Sequence, residues 1–154
     1  MRTYVVGADG RPGFWFFSLD ADSLGAAIGG RLLYRVPFHW SKTEMSQSAN
    51  TIEYLIRRRS DMSVGAKVTV EVVEPGRRLD LDSLSRLLVE RYVMFGGSSN
   101  RLNTATAEHP PWTLHRARVR SLDGRLLPAA GLADPGSEEV AHWSPGVRAR
   151  ISRP

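Results

Sequence analysis

Residues 2–21, RTYVVGADGRPGFWFFSLDA, contain two β-prone runs separated by a spacer of turn-forming residues. The runs RTYVV and FWFFS flank GADGRPG, and this pattern predicts an antiparallel hairpin. In the second run, Phe14 and Phe16 point to one side, and Trp15 and Phe17 to the other. Both faces are apolar, so we predict a strand that is buried on both sides, between layers or in a barrel wall packed by a helix.

Most of the remaining chain also reads as strands. The segments NTIEYLIRR (50–58) and AKVTVEVVE (66–74) alternate between apolar and polar residues, which is typical of antiparallel strands with one solvated face. A strand, a Gly/Ser turn and a second strand are predicted within 93–109. Another strand is predicted at 112–120, a loop or short helix at 127–139, and a closing hairpin at 140–151.

Two helices are predicted. The first lies within 19–33 and begins at Asp20 or Asp22; its glycines weaken the helix or let it approach a sheet closely. The second lies within 80–92 and begins at Asp80 or Asp82. The residues predicted to face the core are Leu24, Ala27, Ile28 and Leu32 in the first helix and Leu81, Leu84, Leu87 and Leu88 in the second.

Composition limits the classes of function. The 154 residues suffice for one domain, 1–154, and contain no cysteine, which excludes disulfides, thiolate zinc sites and cysteine nucleophiles. We expect a cytoplasmic protein, because no run has the length of a membrane span and the first residues lack the layout of a signal peptide. The formal charge is +5, but the arginines are scattered and no nucleic-acid motif accompanies them, so no nucleic-acid partner is expected.

Known catalytic and metal-binding motifs do not occur in this sequence. The four histidines form no metal-binding spacing with one another or with an acidic cluster, and there is no G-x-S-x-G. GADGRPG joins two predicted strands instead of a strand and a helix, which favours a hairpin over a phosphate loop. We therefore predict neither a metal nor a cofactor, and the catalytic residues, if there are any, stay unassigned.

Two segments place a histidine and a tryptophan beside proline-stiffened backbone: VPFHWSK (36–42) and EHPPW (108–112). Core packing explains such residues, and so does a mainly apolar ligand pocket with a few fixed polar groups. Arg91 is open to two interpretations as well. It forms a surface pair with Glu90, or it reaches into a pocket where the second helix gives way to a strand.

Four sequence blocks occur in order from residue 2 to residue 117: RTYVVGADGRPGFWFFSLDA, YRVPFHW, LLVERYVMF and HPPWTLHRA. They resemble the YqjF-like family of uncharacterised bacterial proteins, which is similar to the acetoacetate-decarboxylase-like superfamily. Beyond these blocks the match is weak. The resemblance implies an α+β fold of mainly antiparallel strands, curved into a β-barrel or cone with two flanking helices and an internal cavity.

The chain departs from the pattern of these relatives in two ways. The decarboxylases use a Schiff-base lysine directly after a proline, but here the corresponding Pro37 is followed by Phe38 and His39, and Lys42 lies a few residues further on. The family also carries an N-terminal part before RTYV. A natural short form, a wrongly assigned start and a degenerate copy each account for its absence here. An opened barrel would expose a strand edge, which favours a homo-oligomer.

From these observations we predict a protein that binds a small organic ligand, acidic or carbonyl, in a β-barrel cavity. The candidate wall residues are His39, Trp40, His109 and Trp112, and the candidate cations for a carboxylate are Arg2, Lys42 and Arg91. The alternative is a lyase or hydrolase that acts on a keto acid with His39 or His109 as acid or base. A third hypothesis is a nucleic-acid partner bound by the arginines at 57–59 and at 116, 118 and 120.

Overall fold

The computed structural model describes residues 1–98, 101–133, 136 and 141–154. In chain order the elements are β1 (Arg2–Val6), β2 (Pro12–Phe16), β3 (Leu19–Ala21), α1 (Leu24–Leu33), β4 (Phe38–Ser48), β5 (Thr51–Arg58), β6 (Gly65–Val72), α2 (Ser83–Val89), β7 (Val93–Ser98), β8 (Arg101–Glu108), β9 (His115–Gly124), α3 (Leu126–Ala129), β10 (Ala141–Trp143) and β11 (Arg150–Ile151).

The strands form two sheets. One has the spatial order β1-β2-β7-β8-β11 and the other the order β10-β9-β6-β5-β4-β3. The pairs β2–β7 and β3–β4 are parallel, and the other recorded pairs are antiparallel. The architecture is therefore α+β and mainly antiparallel, as predicted. In the part of the chain that the structure describes, no helix is long and apolar enough to span a bilayer.

The predicted N-terminal hairpin is confirmed. Strands β1 and β2 pair with Tyr4 opposite Phe14, and Gly10 supplies the left-handed conformation of the turn with φ +79°. The Asp9 side chain accepts hydrogen bonds from the backbone N–H and the guanidinium of Arg11, which fixes the turn. The prediction that FWFFS is buried on both sides is wrong at its end, because Phe17 is 40% exposed.

The two alternating segments form antiparallel strands, as predicted, and these are β5 and β6 of the six-stranded sheet. In β5 and β6, Ile52 pairs with Val70, and Ile52 is fully buried. Strand β9 keeps the predicted alternation, since Ala117 is buried while Arg116 and Arg118 are exposed. Strand β4 was not predicted at its full length; polar residues make up most of its second half, and it is held by pairing with β5 as far as Ser48.

The predicted cap and inward face of α1 are wrong. The N-cap is Ser23, whose hydroxyl accepts a hydrogen bond from the Ala26 N–H at 3.2 Å, and neither Asp20 nor Asp22 caps the helix. Of the four residues predicted to face the core, only Ala27 is buried, and its buried partner is Gly30. The other three, Leu24, Ile28 and Leu32, are 46%, 49% and 74% exposed. The small residues therefore form the packed side of α1, which lets the helix approach the sheet closely.

The predicted cap of α2 is confirmed in one of its two alternatives, since the Asp82 carboxylate accepts from the Ser85 N–H at 2.6 Å. The helix ends at Val89, three residues earlier than predicted. Its predicted core face is wrong in part, because Leu84 and Leu87 are 62% and 49% exposed. A helix of seven residues has only two turns, and the buried position on it is Ser85.

The predicted closing hairpin is also wrong. Strand β10 pairs with β9 and strand β11 with β8, so the two strands belong to different sheets. The chain crosses from one sheet to the other between Trp143 and Arg150, where Gly146 adopts a φ of +97°. The predicted loop or short helix overlaps α3. Residues 134, 135 and 137–139 of that stretch, and residue 140 of the predicted hairpin, lie outside the described residues.

Candidate functional site

A pocket of about 450 Å³ lies between the five-stranded sheet and α1. Every strand of that sheet contributes at least one residue to its wall, and α1, β3 and β4 close the other side. The lining residues are Arg2, Phe14, Phe16, Leu19, Ala26, Gly29, Gly30, Leu33, Tyr34, Phe38, Val89, Arg91, Met94, Ala107, His109, Trp112, Ala149 and Ile151. Most of these side chains are apolar, so the wall favours an apolar ligand surface.

The floor of the pocket is continuous with a hydrophobic core. Phe14, Val36, Met94 and Ala105 form the buried cluster. The rings of Phe14 and Phe16 make an edge-to-face contact, with centroids 5.3 Å apart. The alternation of the second β-run had already placed these two rings on one face of β2. That face is the one that lines the pocket.

Phe38 packs directly on α1. A Cβ atom added at Gly30 would lie 2.1 Å from the Phe38 ring, so only glycine permits this approach. At the neighbouring Gly29 an added Cβ would meet no atom within 4 Å. The position that follows Pro37, where the resemblance implies a lysine in the decarboxylases, is therefore an aromatic ring in the pocket wall.

Two arginines line the pocket, and neither has a carboxylate partner among the described residues. In the described part of the chain, Arg2 and Arg91 form no salt bridge. The Arg2 guanidinium lies 5.1 Å from the centroid of the Phe14 ring and reaches the Leu88 carbonyl oxygen at 3.5 Å. Arg91 donates to the Glu90 carbonyl oxygen at 3.1 Å. Both cations are therefore positioned by rings and backbone carbonyls, with charge left to bind an anion.

His109 is held between two other rings. Its ring centroid lies 5.0 Å from that of Tyr92 and 4.9 Å from that of Trp112. The His109 Nδ1 atom is 2.8 Å from the Pro110 carbonyl oxygen. Because a carbonyl can only accept, Nδ1 carries the proton in this contact, and Nε2 of a neutral ring keeps its lone pair. The prolines of EHPPW thus fix the tautomer of a histidine that lines the pocket.

The pocket contains four of the seven predicted site residues: Arg2, Arg91, His109 and Trp112. It does not contain the three that come from VPFHWSK. The Trp40 indole is 39% exposed and donates to the Asp22 carbonyl oxygen at 2.9 Å, with the Arg59 guanidinium 4.7 Å from its ring. The Lys42 ammonium is exposed and paired with Glu44.

Asp20 belongs to a buried polar network that the sequence did not reveal, and His39 lies beside it. His39 is paired with Asp20 in the β3–β4 register. The Asp20 carboxylate accepts from Arg58 Nε at 3.0 Å and from Ser41 Oγ at 2.6 Å, and Arg58 also donates to the Ser18 hydroxyl. The network joins β3, β4 and β5 at the edge of the six-stranded sheet and lies outside the pocket.

The network shifts two acid–base equilibria. Burial acts to raise the pKa of the Asp20 carboxyl, but the hydrogen bonds from Arg58 and Ser41 outweigh it and hold the pKa below its ordinary value of 3.8. Burial, together with the Arg58 charge, lowers the pKa of His39 from its ordinary 6.5, against the opposing effect of Asp20. Both groups thus favour their deprotonated forms in the folded protein.

Sequence reasoning also missed most of the apolar pocket residues. Ile151 enters the wall because β11 pairs with β8, with Ile151 opposite Ala107, and no local pattern indicates that pairing. Leu33 was not assigned to a face, although it lies one residue beyond the predicted stripe of α1. Among the described residues, no three histidine or acidic side chains approach closely enough to hold a metal ion, and no metal site is assigned.

The fold is α+β, and its architecture is similar to that of a solved acetoacetate decarboxylase. The structure is similar to that of acetoacetate decarboxylase from Legionella pneumophila, with a TM-score of 0.63 and 16% sequence identity, over 98% of this chain and 61% of that one. The chain belongs to the family described as "Uncharacterized conserved protein" (DUF2071), which matches residues 1–148. The predicted curved-sheet fold and the predicted family are both confirmed.

The chain is also similar to the uncharacterized protein YqjF of Bacillus subtilis. The two are 28% identical over 144 residues, which is 94% of this chain and 59% of that protein. The chain therefore spans about three fifths of the length of the proteins it matches.

Proposed function

We propose that this protein binds a small organic ligand, acidic or carbonyl, in the pocket between the five-stranded sheet and α1. The observation that carries the proposal is the presence of Arg2 and Arg91, both without a carboxylate partner in the described chain, on the wall of an otherwise apolar pocket. A guanidinium group on an apolar pocket wall can bind the carboxylate of an organic ligand whose apolar part contacts the wall, so this arrangement favours ligand binding over a purely structural role.

The size of the pocket supports a metabolite as the ligand. Small-molecule sites typically enclose about 300–1,000 Å³, and the 450 Å³ found here falls within that range. The solved structure of the same fold is named acetoacetate decarboxylase, so a carbonyl acid is one ligand class that the fold accepts in another protein. Its lysine chemistry is not part of our proposal, because Phe38 occupies the position after Pro37.

A second candidate is a lyase or hydrolase that acts on a keto acid without a Schiff-base lysine. The observation that favours it is the fixed tautomer of His109, which leaves Nε2 as a base on the pocket wall. Turnover of a keto acid that is lost in a folded, ligand-binding His109→Gln protein would support this candidate. An unchanged rate in that variant would remove it.

The test of the binding proposal uses two glycines of α1. Gly29 lines the pocket and has open space around its missing side chain, whereas Gly25 lies outside the lining. We expect Gly29→Leu to fill the pocket and weaken binding, and Gly25→Leu to leave it unchanged. Calorimetric titration with pyruvate, acetoacetate, octanoate and butanone measures both variants. The proposal fails if none of the four binds the wild-type protein, or if both variants bind as the wild type does.

The small-molecule partner, the lack of a nucleic-acid partner, homo-oligomerisation and the cytoplasmic location stay predictions. The arginines at 116, 118 and 120 share their sheet face with acidic residues, and Arg120 pairs with Glu71. This mixed charge supports the expectation that nucleic acid is not the ligand.

A further inference from the structure

We infer that the ligand is a monocarboxylate with an extended apolar body, held with its carboxylate at the α2 end of the pocket. The inference rests on the proposed function and specifies the ligand class for the same site. It follows from the uneven distribution of polar groups along the pocket wall.

The two arginines and the histidine of the lining lie near the end of α2. Arg2 reaches the carbonyl oxygen of Leu88 in α2, and Arg91 follows that helix by two residues. Tyr92, the next residue, contacts the His109 ring, and its carbonyl oxygen accepts from the Ala107 N–H at 2.7 Å. These contacts place two guanidinium groups and an imidazole around the end of α2, where an anion gains charge-assisted hydrogen bonds.

Among the described residues, no charged side chain lines the end of the pocket where α1 meets β3 and β4. Leu19 and Phe38 are paired in the β3–β4 register, Phe38 packs on Gly30, and Leu33 continues the wall along α1. A second carboxylate at this end would lose its hydration without gaining a partner. A dicarboxylate is therefore expected to be rejected, while an alkyl or aryl chain gains free energy by leaving water.

The volume points to a body longer than that of a small keto acid. At about 30 Å³ per water molecule, the 450 Å³ pocket corresponds to roughly fifteen waters. A three- or four-carbon keto acid leaves most of that space in contact with water and reaches only the polar end. A carboxylate with a chain of about eight carbons covers more of the apolar wall and displaces more water from it.

The experiment compares octanoate with three matched probes by calorimetric titration of the full chain. Octanamide keeps the chain and removes the charge, suberate adds a second carboxylate at the same length, and acetoacetate keeps the carboxylate and removes the chain. We expect octanoate to bind about tenfold or more tightly than each probe. Octanamide loses the ionic contact, acetoacetate loses the apolar burial, and suberate places a second carboxylate among apolar side chains.

Three single-residue variants test the position of the carboxylate. Arg2→Gln and Arg91→Gln should each weaken octanoate about tenfold and leave octanamide unchanged. Arg11→Gln removes the same charge from the same hairpin, outside the pocket, where Arg11 pairs with Asp9, and should change neither affinity. Equal losses in all three variants would show a long-range charge effect and would overturn the placement.

The outcomes separate this inference from the proposed function. If acetoacetate binds more tightly than octanoate, or octanamide binds as well as octanoate, the inferred ligand class is wrong, while the pocket remains a small-molecule site. If suberate binds as tightly as octanoate, the apolar end has been misassigned and the inference also fails. If none of the four probes binds, both the inference and the binding proposal lose their support.

Discussion

Arg58 Nε donates a hydrogen bond to Asp20 Oδ1 at 3.0 Å across 38 residues of sequence, and both side chains are more than nine-tenths buried. The pair joins β3 to the end of β5, and Ser41 in β4 completes the contact from between them. Because a buried charge without its partner is costly, this pair holds the edge of the six-stranded sheet together.

Removing one charge of this pair should destabilise the protein strongly. Asp20→Asn leaves Arg58 buried without its counter-ion, and we expect a loss of about 3–5 kcal/mol in the free energy of unfolding measured with urea. Glu53→Gln is the matched control, since Glu53 pairs with Lys67 at 3.3 Å on the same sheet with both side chains about half exposed. Its expected loss is below about 1 kcal/mol. Equal losses would contradict the role given to the buried pair.

The lowered pKa values of His39 and Asp20 in this region should make the stability of the protein depend on pH. His39 has a lowered pKa in the folded state, so the unfolded chain binds more protons as the pH falls below 6.5, and the folded state loses stability there. The lowered pKa of Asp20 also makes the folded state less stable as the pH falls, but at lower pH than His39 does. Its stabilisation is present above pH 3.8 and is lost as the pH falls through its lowered folded value.

Denaturation midpoints between pH 7 and pH 5 test the His39 prediction, because the Asp20 effect lies below that window. We expect the free energy of unfolding to decline with falling pH in the wild type and to decline less steeply in His39→Gln. An identical slope in the two proteins would show that His39 does not contribute to the decline.

How much of this arrangement the sequence predicts depends on the range of the contacts. The β1–β2 hairpin, the alternation of β5, β6 and β9, and the Asp82 cap are local, and periodicity and turn chemistry predicted them. The Asp20–Arg58 pair and the β11–β8 pairing join distant parts of the chain, and no local pattern indicates either. Residues 140–151 look like a hairpin locally, but each strand finds a partner in a different sheet.

The same distinction explains the outcome for the candidate site. Arg91, His109 and Trp112 flank strands of the five-stranded sheet and come together because β7 and β8 pair. VPFHWSK also combines a histidine, a tryptophan and a proline, but its strand β4 belongs to the other sheet. Of that strand, Phe38 lines the pocket, and Trp40 and Lys42 do not. The prediction of which side of α1 faces the core was wrong. It followed the larger hydrophobic side chains of the helix, whereas the packed side consists of Ala27 and Gly30.

The close approach of α1 predicts opposite effects at two adjacent glycines. Gly30→Ala forces a methyl group against the Phe38 ring, and overpacking of this kind costs about 1–3 kcal/mol. Because the gain in helix propensity is about 1 kcal/mol or less, we expect a net loss of stability. Gly29→Ala meets open space and should stabilise the protein by about 0.5–1 kcal/mol. Thermal denaturation of the two variants measures both effects. A rise in stability for both would mean that Phe38 does not pack on Gly30.

The placement of Lys42 predicts the absence of Schiff-base chemistry. Lys42 is exposed and paired with Glu44, and Phe38 fills the wall where the resemblance to the decarboxylases implies the lysine. A Schiff-base lysine must reach the carbonyl carbon of the bound substrate, and Lys42 is not among the residues that line the pocket. We expect the intact mass of the protein to stay unchanged after incubation with acetoacetate and borohydride. A stoichiometric adduct that is lost in Lys42→Gln would show that the lysine reaches substrate, and the non-covalent pocket would then have to be reconsidered.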